Sequence, residues 1–146
     1  MAGPLVRLAS ARGIADGRRI VATDIEARLG TRYTADTLRR LQALFPCVHF
    51  VWLMGADNLD QLPRWHRYRD LARHTAFAVL PRPSYNHRAL AGHAAQLLRR
   101  ARRVAHEAPA LATISPPAWV FLPTPQHPAS ATALRATAPA IAAPGV

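Results

Sequence analysis

The sequence predicts an α/β domain in which a Rossmann-like parallel sheet is flanked by helices, and three observations carry that expectation. Short, almost uninterrupted apolar runs recur at residues 48–54, 77–80 and 119–122, the pattern of parallel strands covered on both faces. The segments between them place apolar residues at helical spacing, so strand and helix alternate, as they do in α/β folds. A chain of 146 residues, 50% of them hydrophobic, is long enough for one domain with a buried core and too short for two ordinary ones.

Taken in order, the chain opens on an amphipathic helix through Leu5, Leu8 and Ile14, with Arg7 and Arg12 between them and Gly17 as its stop. Residues 19–25 read RIVATDI, short and β-branched, which suits a strand, with Gly30 in the following turn. Thr34 or Asp36 is then in position to cap a helix whose Leu38, Leu41 and Leu44 recur at helical spacing until Pro46. After the 48–54 and 77–80 strands, Leu90, Ala94, Leu97, Leu98, Ala101 and Val104 fall on one face of a helix of roughly four turns. Arg99, Arg100 and Arg103 take the opposite, solvated face. The last strand, 119–122, leads into a Pro-interrupted loop and a short helix candidate beginning near Ser130. Residues 138–146 form an Ala/Pro tail expected to be disordered, which leaves residues 1–137 as the domain.

Composition narrows the partners. The net charge is +11, but all 19 basic residues are Arg, which together with 13 Pro and abundant Ala is what a GC-rich coding sequence produces. The excess is concentrated: residues 71–146 hold eight Arg against the single acid Glu107. Such a surface attracts phosphate-bearing ligands, whether mononucleotides or polynucleotides. Cys47 is the only cysteine, so no intrachain disulfide forms and a reduced cytoplasm is expected. No apolar stretch is long enough to span a bilayer, and Asp16 argues against an organelle transit peptide.

In an open parallel sheet, ligands bind at the carboxyl ends of strands, which directs attention to the loops after residues 54 and 122. Gly55 permits close backbone approach to a ligand, and Asp57 can accept hydrogen bonds from ribose hydroxyls; the plainer alternative is a turn with an N-cap. Trp65 sits among Arg64, His66 and Arg67, where its flat face can stack on a heteroaromatic ring near cations, or simply pack in the core. Ser130, Thr132 and Arg135, at the start of the last helix candidate, offer donors to phosphate oxygens, a simple Ser N-cap being the alternative. The seven His show no metal-binding spacing, and no metal site is expected. No GxSxG, Walker A or GxGxxG motif occurs, which argues against a hydrolase, a P-loop enzyme and an ordinary dinucleotide oxidoreductase.

Taken together and in order, these segments resemble the nicotinate-nucleotide adenylyltransferase family. GTRYTADTL (residues 30–38) is similar to the family's YTxdTL segment, WLMGADNLDQLPRWHRYRDL (52–71) to its GaDnl…lpxW stretch, and AVLPRP (78–83) to its next strand, ending in Arg82. HPASATALR (127–135) resembles the family's ISSTxIR motif, with Ala131 in place of its second Ser. The resemblance implies that Thr34, Gly55, Asp57 and Arg82 bind the nicotinate nucleotide and that Trp65 stacks on its ring. It also implies that Ser130, Thr132 and Arg135 grip ATP phosphates, that Mg²⁺ accompanies ATP as the substrate, and that AMP passes to nicotinate mononucleotide, giving deamido-NAD and pyrophosphate. The family's opening GGSFDPxHxGH segment has no counterpart in this sequence. The sheet is therefore expected to be N-terminally truncated relative to the family, marginal in stability, and impaired in catalysis through loss of the histidines that contact the triphosphate. A non-catalytic basic module for RNA or another polyanion is the competing reading. A sibling enzyme using pantetheine phosphate or nicotinamide mononucleotide is a third, disfavoured by Trp65 and the YTADT and GADN segments.

Overall fold

The computed structural model describes residues 4–125 and contains four parallel strands in the spatial order β1-β2-β4-β3. Strand β1 is Val51–Gly55, β2 Ala76–Leu80, β3 Arg102–Arg103 and β4 Trp119–Phe121. The three apolar runs of the sequence thus form the three longer strands, as expected of an α/β Rossmann-like arrangement. Helices α1 (Pro4–Ile14), α2 (Ile25–Leu29) and α3 (Thr34–Leu44) precede β1, whereas α4 (Ala56–Gln61) and α5 (Tyr68–His74) connect it to β2. After β2 come α6 (Asn86–Ala91) and α7 (His93–Leu97), and a 3₁₀ segment, Ala105–Thr113, separates β3 from β4.

Strand alternation divides the interior into two layers. On one face Met54, Phe77, Val79 and Trp119 join Leu38, Leu59, Leu62, Leu71, Ala89 and Ala94 from the helices, with Trp52, Trp65 and Tyr68 packed on the margin. On the other, Ala76, Ala78 and Val120 meet Leu111 of the 3₁₀ segment. The Trp119 indole fixes the sheet to the helical layer by donating from Nε1 to the Leu98 carbonyl at 2.9 Å. Strand β1 pairs only with β2 among the described residues, and Leu53 is 62% exposed, so the expectation of a strand covered on both faces holds for β2 and fails at β1. Val48 is also exposed, and pairing begins three residues later than the apolar run suggests.

Residues 19–25 are not a strand, because the Asp16 carboxylate captures their leading backbone: its Oδ1 accepts from the amides of Arg18, Arg19 and Ile20 at 2.9, 2.7 and 2.8 Å. The amides of Ile20 and then Arg18 hold the Asp16 carboxyl below the usual carboxylate range, and the chain turns into α2 at Ile25. Neither Thr34 nor Asp36 caps α3; the boundary residue is the extended Tyr33, with no side-chain cap, and Thr34 is the first helical residue. The four-turn helix through residues 90–104 is broken at Gly92, whose extended backbone (φ −72°, ψ 168°) separates α6 from α7. Beyond α7 the chain enters a 3₁₀ turn (Arg99–Ala101), so the arginines expected on one helical face are divided between that turn and β3.

Gly92 is required sterically. A Cβ at that position would lie 2.9 Å from the Arg88 carbonyl and 3.3 Å from that of Ala89, both fixed backbone atoms. Gly92→Ala is expected to cost about 1–3 kcal/mol through overpacking and to lower Tm by several degrees, measurable by calorimetry. An unchanged Tm would show that the α6–α7 junction yields freely.

Candidate functional site

Gly55 of β1 is in register with Leu80 of β2, and Val79 with Phe121 of β4, so the loops after these strands open at one end of the sheet. A helix that leads into a parallel strand runs against it, which brings the first turns of α3 and α5 to that same end. The topology therefore gathers Thr34, Gly55, Asp57, Trp65 and Arg82 at one edge, although they span nearly fifty residues of sequence.

At the centre of this group, α4 begins immediately after Gly55, so Asp57 lies in its first turn and does not cap it. Its Oδ1 is buried without a hydrogen-bond partner, and Nε of Arg82 stands 3.5 Å away, close enough for ionic attraction but long for a hydrogen bond. A buried acceptor without a hydrogen bond costs about 1–3 kcal/mol, which the adjacent Arg82 guanidinium offsets in part, while the Asp57 side chain as a whole remains 32% exposed. Gly55 makes room for the pair: a Cβ there would fall 2.3 Å from Asp57 Oδ1 and 2.8 Å from Arg82 Nε. The Arg82 backbone is held in a tight turn, its amide donating to Asn86 Oδ1 at 2.7 Å and its carbonyl accepting from the Tyr85 amide at 3.1 Å. Its side chain remains largely exposed.

Trp65 is half-buried and follows the 3₁₀ turn Leu62–Arg64, where Pro63 occupies an early position that needs no amide. Its amide donates to the Leu62 carbonyl at 3.0 Å, and its own carbonyl accepts from the Tyr68 amide at 3.3 Å. Two residues on, Arg67 adopts a left-handed backbone (φ 53°, ψ 36°), an arrangement that costs a non-glycine residue on the order of 1–3 kcal/mol.

Around this loop lies a set of contacts that sequence reasoning missed. The Tyr33 and His66 rings stack with centroids 4.3 Å apart and planes 27° from parallel. Arg67 donates from Nε and Nη2 to Asp70 Oδ2 at 3.1 and 3.0 Å, and its Nη1 lies 3.6 Å from Asp36 Oδ1. His66 Nε2 is 3.8 Å from Asp36 Oδ2. The local Arg67–Asp70 pair at a separation of three was readable as a helical ion pair. The link from Asp36 to Arg67 joins two elements, and no pattern along the chain announces it.

Two concavities accompany this edge. A cavity of about 250 Å³ between α3 and α5 is lined by Ala35, Arg39, Gln42, Arg67, Leu71 and Thr75 among others. A broader groove of about 510 Å³ lies beside β3 and β4, lined by Arg99, Arg102, Arg103, Val104, Phe121 and Pro123. Arg102 also stacks over the Trp119 ring, 5.3 Å from its centroid. Among the described residues, none of these three arginines forms an ion pair, and Glu107, the one acid of their half of the chain, accepts from the Val104 amide at 3.1 Å. Neither concavity is lined by Gly55, Asp57 or Arg82, so the concavities and the Asp57 carboxylate mark different places; the carboxylate is the sharper chemical signal. Ser130, Thr132 and Arg135 lie outside the described residues, as do the last helix candidate and the 138–146 tail. Among the described residues no three His, Cys, Asp or Glu side chains converge as metal ligands, and no helix is long and apolar enough to cross a membrane.

Comparison with known proteins finds no matching family model but many similar chains. The probable nicotinate-nucleotide adenylyltransferase of Gluconacetobacter diazotrophicus is 59% identical over 133 residues, covering 91% of this chain and 62% of that protein. That of Gluconobacter oxydans is 58% identical over 130 residues, covering 89% of this chain and 67% of the relative. A third, from Cereibacter sphaeroides, is 50% identical over 131 residues, covering 90% and 69%. The chain thus spans about two thirds of the length of the relatives it matches.

Proposed function

The chain belongs to the nicotinate-nucleotide adenylyltransferase family, and we propose that the edge formed by Thr34, Gly55, Asp57, Trp65 and Arg82 recognises nicotinate mononucleotide. The observation that carries this reading is the buried, unpartnered Oδ1 of Asp57 at the carboxyl end of β1, with Arg82 beside it. A ribose hydroxyl can donate to the exposed part of the Asp57 carboxylate, whose side chain is 32% exposed, and the Arg82 guanidinium offers a fork to the nucleotide phosphate. The Trp65 indole gives the nicotinate ring a flat face, while the Thr34 hydroxyl and the Gly55–Asp57 backbone offer further hydrogen bonds.

In the proposed reaction a phosphate oxygen of nicotinate mononucleotide attacks the α-phosphorus of ATP. A bond forms to that phosphorus as its bond to the bridging oxygen breaks, and the electron pair leaves with pyrophosphate. Deamido-NAD is the product. No protein nucleophile is needed, so catalysis rests on alignment and on stabilising charge along the phosphates. Ser130, Thr132 and Arg135 are the proposed partners of the ATP phosphates. Mg²⁺ is proposed to enter with ATP as part of the substrate, held by phosphate oxygens. The sole cysteine, Cys47, unpaired and exposed, fits a reducing compartment, and the cytoplasm is the proposed location.

A second reading rests on the Arg99–Arg102–Arg103 groove, whose uncompensated guanidiniums suit a polyanion such as RNA. One set of thermal-shift measurements separates the two. Nicotinate mononucleotide is expected to raise Tm progressively with concentration, as binding to the folded state alone requires, with nicotinamide mononucleotide and pantetheine phosphate giving smaller shifts. Stabilisation by an unrelated oligonucleotide, lost at moderate salt, with none from nicotinate mononucleotide, would favour the polyanion reading.

A further inference from the structure

We infer that Asp36 and Arg67 form a clamp that positions Trp65 relative to the first turn of α3, making Arg67 a positioning residue for the nicotinate nucleotide; the inference rests on the function proposed above. Trp65 is fixed on its N-terminal side by the 3₁₀ turn, through the 3.0 Å bond from its amide to Leu62. On its C-terminal side the chain must turn through the left-handed Arg67, and the hydrogen bonds and ion pairs on that side lead to α3 and α5 among the described residues. Asp70 sits on α5 three residues after Arg67 and orients the guanidinium locally. Asp36 sits on α3, so its 3.6 Å approach to the same guanidinium ties the loop to a different element. The His66 ring, stacked on Tyr33 and 3.8 Å from Asp36, makes a second tie to the same helical turn. Both residues that follow Trp65 are thereby anchored within three residues of Thr34, another side chain proposed to face the nucleotide.

The exposure of these groups distinguishes positioning from bulk stability. The Arg67 side chain is 40% exposed and His66 44%, and ion pairs so exposed contribute little to folding. Breaking the clamp should therefore free Trp65 without unfolding the domain. Residues in one such network are energetically coupled, so removing both partners should cost less than the sum of the two single losses.

The experiment uses the 146-residue chain labelled with 5-fluorotryptophan, whose three fluorine resonances report Trp52, Trp65 and Trp119 separately. Trp65→Phe identifies the Trp65 line. Asp36→Asn and Arg67→Asn are the test variants, Asn being tolerant of the left-handed backbone at position 67, and Arg67→Lys keeps the charge while losing the fork. The Trp65 line is expected to shift or broaden in both Asn variants while those of Trp52 and Trp119 stay in place. Affinity for nicotinate mononucleotide is expected to fall about fivefold or more, with the double variant losing less than the two single losses combined and Arg67→Lys intermediate. An unchanged Trp65 line in both Asn variants would overturn the clamp, as would three resonances moving together with a lowered Tm. Failure of the unsubstituted chain to bind nicotinate mononucleotide would overturn the function proposed above, and the Trp65 line would then still decide the clamp.

Discussion

Trp65→Ala is expected to weaken binding of nicotinate mononucleotide by about 5- to 160-fold, the range that corresponds to about 1–3 kcal/mol for losing an aromatic platform under a heteroaromatic base. Trp65 is half-buried and packs at the margin of the main core, so the substitution also removes some apolar contact. Trp65→Phe separates the two effects, since it keeps a flat apolar ring of smaller area. If the indole serves the ligand, Phe restores most of the affinity and both variants lose far more in binding than in Tm. Equal affinity for all three proteins, measured by titration calorimetry, would return Trp65 to the role of a packing residue.

Gly55→Ala is expected to lower affinity for nicotinate mononucleotide on the order of ten- to a hundredfold, as displacement of aligned groups by about 1 Å does elsewhere. The added methyl would meet Asp57 Oδ1 at 2.3 Å and Arg82 Nε at 2.8 Å, distances that cannot persist. Both obstacles are side-chain atoms rather than backbone, so they move aside and the fold loses little. That asymmetry separates Gly55 from Gly92, whose added Cβ would press on the Arg88 carbonyl and damage stability instead. A Gly55→Ala protein with unchanged affinity would mean that the Asp57–Arg82 arrangement is not what the nucleotide meets.

The strands that lead to the site were legible through their apolar runs, although only β2 is buried along its length and β1 is buried only at its carboxyl end. The apolar runs around Met54, Phe77 and Trp119 have no competing explanation, and the loops at their carboxyl ends follow from parallel pairing. Residues 19–25 misled because β-branched composition states only a preference, and the Asp16 carboxylate offered the same amides a nearer acceptor. The break at Gly92 was present in the sequence as a lone glycine inside a helical pattern, and only its crowding against Arg88 shows why the helix cannot continue through it. The two-residue strand Arg102–Arg103 carries no apolar signature, since its place in the sheet comes from pairing with Trp119 and Val120. At the site, Gly55, Asp57 and Trp65 were visible as residue types following a strand, whereas the Asp57–Arg82 and Asp36–Arg67 pairings are long-range contacts that become visible only when the elements are assembled. The motif at Ser130, Thr132 and Arg135 was legible only through family resemblance and falls outside the described residues.

Nicotinate mononucleotide is expected to bind at the β1–β2 carboxyl edge, which amide chemical shifts followed during its titration will show. The largest changes are expected at Gly55, Ala56, Asp57 and Arg82, with the Trp65 indole signal moving alongside them and residues 99–103 unaffected. Changes centred on Arg99, Arg102 and Arg103, or on Ala35 and Gln42 between α3 and α5, with Gly55 and Asp57 undisturbed, would contradict it.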